Sequence, residues 1–353
     1  MTGLFVPGRL CLFGEHSDWA GGWRARAPEL TPGACLVTGT DQGLRAHAEP
    51  DADLVLESVL PGGARHGPER IALTAGALRA ASGAGGVFSY AAGVAAAVRA
   101  RFPDAAGVRL AIEADLPIGK GLSSSAALCV LVARAFSRVH GLGLSPRDEM
   151  ELAYTGERLA GSACGRMDQV CAFGRRPTLM RFDGDATTLE PVAPGGRFAL
   201  LVVDLRRAKD TRRILADLNA CFPRTPGELA ARVREALGPA NAAILARARA
   251  ALEAGDAEAL GSLMGEAQAR FDADVAPACP ELRAPRLHEV LAHPAVRALA
   301  FGGKGVGSQG DGCAQLVARD DASRAGLAAI LEGELGVGCL PLTIEPGPAA
   351  EGA

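Results

Sequence analysis

Over the first sixty positions apolar residues come in short alternating runs, with glycine and proline between them. Residues 9–13, 34–40, 43–48 and 53–59 are therefore predicted strands joined by turns. From residue 86 the period lengthens. GVFSYAAGVAAAVRAR (86–101) is a predicted helix packed through small side chains, and VRLAIEAD (108–115) is a predicted strand. Residues 125–138 are apolar on every side, which predicts a buried helix with Ser123 or Ser124 as its N-cap. A further helix is expected at about 146–160, then a loop and short helix at 165–174.

The coil-like PVAPGGR (191–197) is the best boundary, which divides the chain into an N-terminal domain, 1–194, and a C-terminal domain, 195–353. After it come a buried strand (198–205), helices at about 226–254 and 256–273, a strand at 313–319, a helix at 321–335 and a last strand near 338–344. This order of strands and helices predicts an α+β protein of two domains.

Composition narrows the functional classes. With 48% hydrophobic and 22% charged residues, the 353-residue chain has the balance of a globular protein. A formal net charge of −3 speaks against nucleic acid or an anionic membrane as partner. Nine cysteines lie singly, without a C-x-x-C pair, which fits reduced, mostly buried thiols and a cytoplasmic location. No signal peptide or membrane span is expected. Only Lys120, Lys209 and Lys304 are lysines, against 34 arginines, and two of the three sit in G-K-G triplets.

Four segments could carry chemistry. LPIGKGLSSSAAL (116–128) joins a strand to a helix through glycines and serines. The first N–H groups of that helix have no internal partner, and Gly119 and Gly121 let backbone approach an anion. It is either a phosphate cradle or a tight turn with serine caps. GEHSD (14–18) places Glu15, His16 and Asp18 at a strand end, which suits hydrogen bonds to a polyhydroxylated ligand or an ordinary polar turn. GERLAGSACGRMDQ (156–169) holds Glu157 and Asp168, one able to hold Mg²⁺ through oxygen and the other to deprotonate a hydroxyl. FGGKGVGSQGDGC (301–313) has six glycines in thirteen residues, so its backbone is expected to lie close to a ligand or another loop, or to form a hairpin. Lys209, in DLRRAKDTRR, reads as a solvated helix start.

In this order the segments resemble the GHMP kinase superfamily, most closely its galactokinase-type sugar kinases. Pro7, Gly8, Arg9, Gly14, Glu15, His16 and Asp18 match that family's first motif. Pro117, Gly119, Gly121, Leu122, Ser123, Ser124, Ser125 and Ala126 match its loop, and CGRMDQ resembles C-G-x-M-D-Q. The 302–312 stretch departs from the family's third motif, adding polar groups and Lys304, and Trp19 stands where galactokinases have tyrosine.

The resemblance implies a ribosomal-S5-domain-2-like N-terminal domain and a ferredoxin-like C-terminal domain. It implies an ATP- and Mg²⁺-dependent enzyme that phosphorylates a sugar or sugar-like polyol, acting as monomer or homodimer. Pro117, Gly119, Lys120, Gly121, Leu122 and Ser123–Ser125 would hold ATP. Ser124 or Ser125 with Glu157 would hold Mg²⁺. Asp168 would be the base, with Arg9 beside it neutralising the transferring phosphoryl. Glu15, His16, Asp18, Gly303 and Gly305 would contact the acceptor. The competing readings are a kinase for a non-sugar alcohol, such as an amino alcohol or a natural-product hydroxyl, and a non-catalytic sensor of sugar and ATP.

Overall fold

The computed structural model describes residues 2–60, 62–117, 121–162 and 164–347. The first part of the chain runs β1 (Thr2–Phe13), α1 (Ser17–Gly22), β2 (Gly33–Asp51), β3 (Leu54–Val59), β4 (Arg65–Ile71), α2 (Ala75–Gly83), α3 (Val87–Arg101), β5 (Gly107–Ala114), α4 (Ser124–His140) and α5 (Pro146–Leu159). It continues through β6 (Thr178–Asp183), β7 (Ala186–Pro191), β8 (Phe198–Asp204), α6 (Thr211–Asn219), α7 (Glu228–Glu235), α8 (Asn241–Ala254) and α9 (Ala257–Asp274). The last elements are α10 (Pro285–Ala292), α11 (Pro294–Leu299), β9 (Ala300–Gly305), β10 (Cys313–Ala318), α12 (Asp321–Leu335) and β11 (Gly338–Ile344). The mixture is α+β, as the sequence predicts.

Two compact units form. One is Met1–Arg9 with Gly39–Arg175; the other is Leu10–Thr38 with Arg176–Ala353. This grouping differs from a single cut at 194, because β1 and β2 each give one part of their length to either unit. The coil expected near 191–197 does separate β7 from β8.

In the first unit, β4, β3, β5 and β2 lie side by side, β3 parallel to β5 and the other pairs antiparallel. The two strands expected at 34–40 and 43–48 are one strand, β2. The polar step between them does not turn, because Asp115 engages it: Gly43 N donates to Asp115 Oδ1 at 2.6 Å, and Asp115 N donates to Gly43 O at 3.2 Å. Helix α4 is buried from Ala126 to Ala133, which accounts for its apolar sequence. Helices α3 and α5 meet at glycines: a Cβ on Gly93 would run into the Gly156 carbonyl, and one on Gly156 into Val94. This contact fixes the face of α5 on which Glu157 sits.

In the second unit, β8 lies between β11 and β10, with β9 outermost beside β10, all antiparallel. Helix α9 packs on β9 through Gly261 and Gly302, neither of which leaves room for a side chain. From there Gln268 Oε1 accepts from Gly305 N at 2.7 Å. The helix expected at 226–254 is interrupted by a π turn, Ala236–Ala240, that contains Pro239. Proline has no N–H to donate, so the regular ladder cannot pass through it. Helix α6 begins just after Lys209, where a helix start is expected, and Asp210 caps it by accepting from Arg213 N at 3.0 Å.

All nine cysteines are free thiols, seven of them buried. Among the described residues no helix is long and apolar enough to cross a membrane.

Candidate active site

The first unit gathers the expected nucleotide and catalytic residues. Ser123 precedes α4 in the left-handed region, at φ 59°, so its side chain makes no capping bond. Its Oγ is buried and has no hydrogen-bond partner among the described residues. Ser123 is thus the N-cap residue, as the sequence predicts, but without a side-chain capping bond, and no acidic side chain occupies the first turn. The N–H groups at the head of α4 keep their anion-binding capacity. Gly121, at φ 83°, supplies the turn into it. Gly119 and Lys120 lie outside the described residues. Pro117 is half-buried between buried Leu116 and the turn.

Strand β1 docks beneath this loop. Arg9 N donates to Leu122 O at 3.0 Å, and a Cβ on Gly8 would collide with Leu116, Thr40 and the Leu122 carbonyl. Gly8 thus permits the approach that fixes Arg9. The buried Arg9 guanidinium pairs through Nη2 with Asp168 Oδ1, and Asp168 opens a 3₁₀ turn, Asp168–Phe173. The Asp168 side chain is 27% exposed, so one member of the pair reaches solvent.

Next to Asp168, Gln169 Nε2 donates to Glu157 Oε2 at 2.7 Å. Ser125 Oγ donates to Glu157 Oε1 at 2.8 Å. Burial, followed by the nearby Asp168 charge, pushes the Glu157 carboxyl up from 4.5 to about 7, against the lowering effect of these two hydrogen bonds and of Arg9. A buried carboxylate so placed is short of positive charge. Magnesium takes oxygen ligands, usually one or two carboxylates with phosphate and water. Glu157 and Ser125 fit that donor set. Among the described residues no cluster of three His, Cys, Asp or Glu could hold a metal alone, so a metal here would take its other ligands from phosphate and water.

A cavity of about 340 Å³ opens at the head of α4, with Ser124 and Ser125 on its wall. Leu44, Leu60, Val87 and Tyr90 line the rest, making it largely apolar. Ser58 also lines it, and the Ser58 hydroxyl is buried without a hydrogen-bond partner among the described residues.

The second unit holds the residues expected at the acceptor. Glu15 is buried and forms an ion pair with the buried Lys304, which also donates to Gly305 O at 3.0 Å. His16 sits at φ 67°. Its Nδ1 accepts from Trp19 Nε1 at 3.1 Å, which leaves Nε2 as the protonated nitrogen facing Ser308 O at 3.4 Å. Burial lowers the imidazole from 6.5 to about 4, so the ring is neutral at ordinary pH. Phe271 stacks on it at 6.2 Å. Asp18 is half-buried in the first turn of α1. Gly303 and Gly305 lie in β9, where a Cβ would strike Gln315 and Leu316 in the first case and Gln309 in the second. Close packing inside the unit accounts for both glycines.

Lys209 is not solvated as expected. It is half-buried, its amine donates to Gln309 O at 2.7 Å, and it packs on Gly312. The sequence signal was the scarcity of lysine itself: two of the three lysines lie in this cluster.

Sequence reasoning missed Arg134, a half-buried cation in the largely apolar α4. It donates to Glu149 Oε2 at 2.9 and 2.7 Å, to Ala172 O at 2.7 Å and to Phe5 O at 2.9 Å. One side chain thus ties β1 and the Asp168 turn to α4.

The family description "GHMP kinases N terminal domain" matches residues 89–175, which include α4, Glu157 and Asp168. A mevalonate kinase of Aeropyrum pernix is 29% identical over 220 residues, covering 60% of this chain and 61% of that protein. A galactokinase of Streptomyces coelicolor is 28% identical over 314 residues, 78% of this chain and 76% of that one. The crystal structure of L. major mevalonate kinase with R-mevalonate shares the fold, at TM-score 0.72 and 19% identity over 99% of this chain and 97% of that one. Residues 89–175 thus match a GHMP kinases N terminal domain, and the chain is similar in sequence to kinases of both kinds and shares their fold.

Proposed function

We propose that the protein transfers the γ-phosphoryl group of ATP to a hydroxyl of a sugar or sugar-like polyol. The observation that carries this is the connected set Arg9–Asp168, Gln169–Glu157–Ser125 at the head of α4. It offers a base, a cation, a carboxylate suited to a metal and a helix N-terminus suited to phosphate. Phosphoryl transfer asks for little more than positioning and charge neutralisation.

In this reading the phosphates lie on the α4 amides with Gly121 and the serines. The base enters the 340 Å³ cavity, where Ser58 offers its hydroxyl to the ring edge. Ser125 and Glu157, with Ser124 as the alternative hydroxyl, hold Mg²⁺, which when bound neutralises phosphate charge. Asp168 accepts the proton of the attacking hydroxyl, and Arg9 holds that carboxylate in place and balances charge on the transferring group. Glu15, His16 and Asp18 recognise the acceptor.

A second reading, phosphorylation of a non-sugar alcohol such as mevalonate, has one observation in its favour. Glu15 is paired with Lys304, so an acceptor meets an ion pair where a bare carboxylate was expected. ADP release with Mg²⁺–ATP, measured over hexoses, pentoses, polyols and mevalonate, separates the two. Turnover on sugars is expected, and Asp168→Asn should abolish it while ATP still binds. Turnover on mevalonate alone refutes the sugar reading. Unchanged turnover in Asp168→Asn removes Asp168 as the base.

A further inference from the structure

His16 precedes α1 at φ 67°, a left-handed conformation uncommon outside glycine. Three positions on, in the first turn of α1, Trp19 turns its indole back to the imidazole, edge to face, with ring centroids 5.8 Å apart. Phe271 stacks on the imidazole, and Phe222 meets Trp19 edge-on at 5.2 Å. Aromatic contacts thus hold both rings.

The bond between them runs in one direction only. An indole has one N–H and no acceptor. Trp19 Nε1 donates to His16 Nδ1 at 3.1 Å, so Nδ1 carries no proton. Burial keeps the ring neutral, and in a neutral ring the proton then sits on Nε2. Nε2 faces Ser308 O at 3.4 Å, and a carbonyl can only accept, so the two contacts agree on one tautomer. Turning the ring over would set carbon against both partners, which fixes its orientation as well. A tyrosine hydroxyl, which the motif resemblance puts at position 19, both donates and accepts and would permit either tautomer. The indole permits one.

The contact to Ser308 is long beside the usual N–H···O distance of about 2.9 Å, so a nearer oxygen can take the Nε2 proton from it. We propose that Trp19 is a positioning residue for the acceptor: it holds His16 as a donor from Nε2, so that the acceptor meets His16 through an oxygen lone pair. A hydroxyl or a carboxylate supplies one, and an ammonium does not. The inference rests on the reading above, in which His16 recognises the acceptor, and adds to it a residue and a polarity.

The test removes the indole N–H and little else. β-(3-Benzothienyl)alanine, with sulfur in place of that N–H, is incorporated at position 19 of the full chain carrying Trp23→Phe. The same chain with tryptophan at 19 is the reference. ¹⁵N NMR of the imidazole at pH 7 reads the tautomer. ADP release with Mg²⁺–ATP over hexoses, pentoses, polyols and mevalonate reads the reaction.

The reference is expected to show a protonated Nε2 and a hydrogen-bonded Nδ1. The analogue should lose the Nδ1 bond, and a second tautomer or ring orientation should appear. Its KM for the acceptor should rise about tenfold, with KM for ATP unchanged and kcat within about twofold. Trp19→Phe should show the same split. A general loosening of the fold would instead move both KM values together and lower the thermal midpoint. A proton on Nδ1 in the reference overturns the proposal. So does an unchanged acceptor KM in an analogue that has lost the Nδ1 bond. With ADP release intact, either result leaves the kinase reading standing. The expected nitrogen signals with no ADP release from any acceptor refute the kinase reading, and the role of Trp19 in acceptor recognition falls with it.

Discussion

Replacing Glu157 by glutamine should stabilise the metal-free protein at high pH and leave it unchanged at low pH. In the folded state burial raises this carboxyl from 4.5 to about 7. Below pH 4.5 both folded and unfolded states hold the proton, and the group has no effect through ionisation. Between 4.5 and 7 the unfolded chain releases it first, so stability falls as pH rises. Above 7 the penalty is complete. Going from 4.5 to about 7, at about 1.4 kcal/mol per pH unit, amounts to about 3 kcal/mol.

Glutamine removes that ionisation and keeps the shape. Ser125 can still donate to its oxygen, and Gln169, whose Oε1 has no partner among the described residues, can turn to accept from the new amide. Thermal unfolding in metal-free buffer is the assay. At pH 8 the variant's midpoint should exceed wild type by on the order of 4 °C, and at pH 5 the two should nearly coincide. Saturating Mg²⁺–ATP at pH 8 should raise wild type more than the variant, because the metal needs the ionised carboxylate. A midpoint difference that is the same at pH 5 and pH 8 would falsify the account of Glu157 as a buried acid.

Three further outcomes are expected. Arg134→Leu strands buried Glu149 and should cost roughly 3–5 kcal/mol in urea unfolding, with much of the loss recovered by adding Glu149→Leu; an unaffected midpoint would show that Arg134 does not hold the Asp168 turn. His16, lowered from 6.5 to about 4, contributes stability that is complete above pH 6.5 and lost as pH falls toward 4. Its NMR titration should show a neutral ring with the proton on Nε2 at pH 6, and a midpoint near 6.5 would refute the buried site. Leu44→Trp, which fills the cavity beside Ser124, should raise KM for ATP about tenfold or more with a smaller change in kcat; an unchanged KM would move the nucleotide base elsewhere.

Much of this protein is local and so can be read along the chain. The apolar run after Ser125 had to be buried, and the glycines and serines before it had to open a helix. The strand and helix pattern from 313 to 344 needs only period and turn residues, and the structure follows it closely. The motif resemblance groups Ser124 or Ser125 with Glu157 and puts Arg9 near Asp168; in the structure Ser125 donates to Glu157, and Arg9 pairs with Asp168.

Other features depend on contacts between residues far apart in sequence. Polar residues at 41–43 read as a turn along the chain, and the bonds that hold them in β2 come from far away, Asp115 to Gly43 and Arg175 to Asp41. Lys304 and Glu15 are 289 positions apart, and no periodicity reveals that one neutralises the other. Arg134 resembled an isolated polar intrusion until the fold brought Glu149, Ala172 and Phe5 around it. A chain can state which residues prefer water and which conformations its backbone tolerates. Which charge meets which, and which buried polar atom finds a partner, is settled only when distant segments share one interior with no water to substitute for a missing partner.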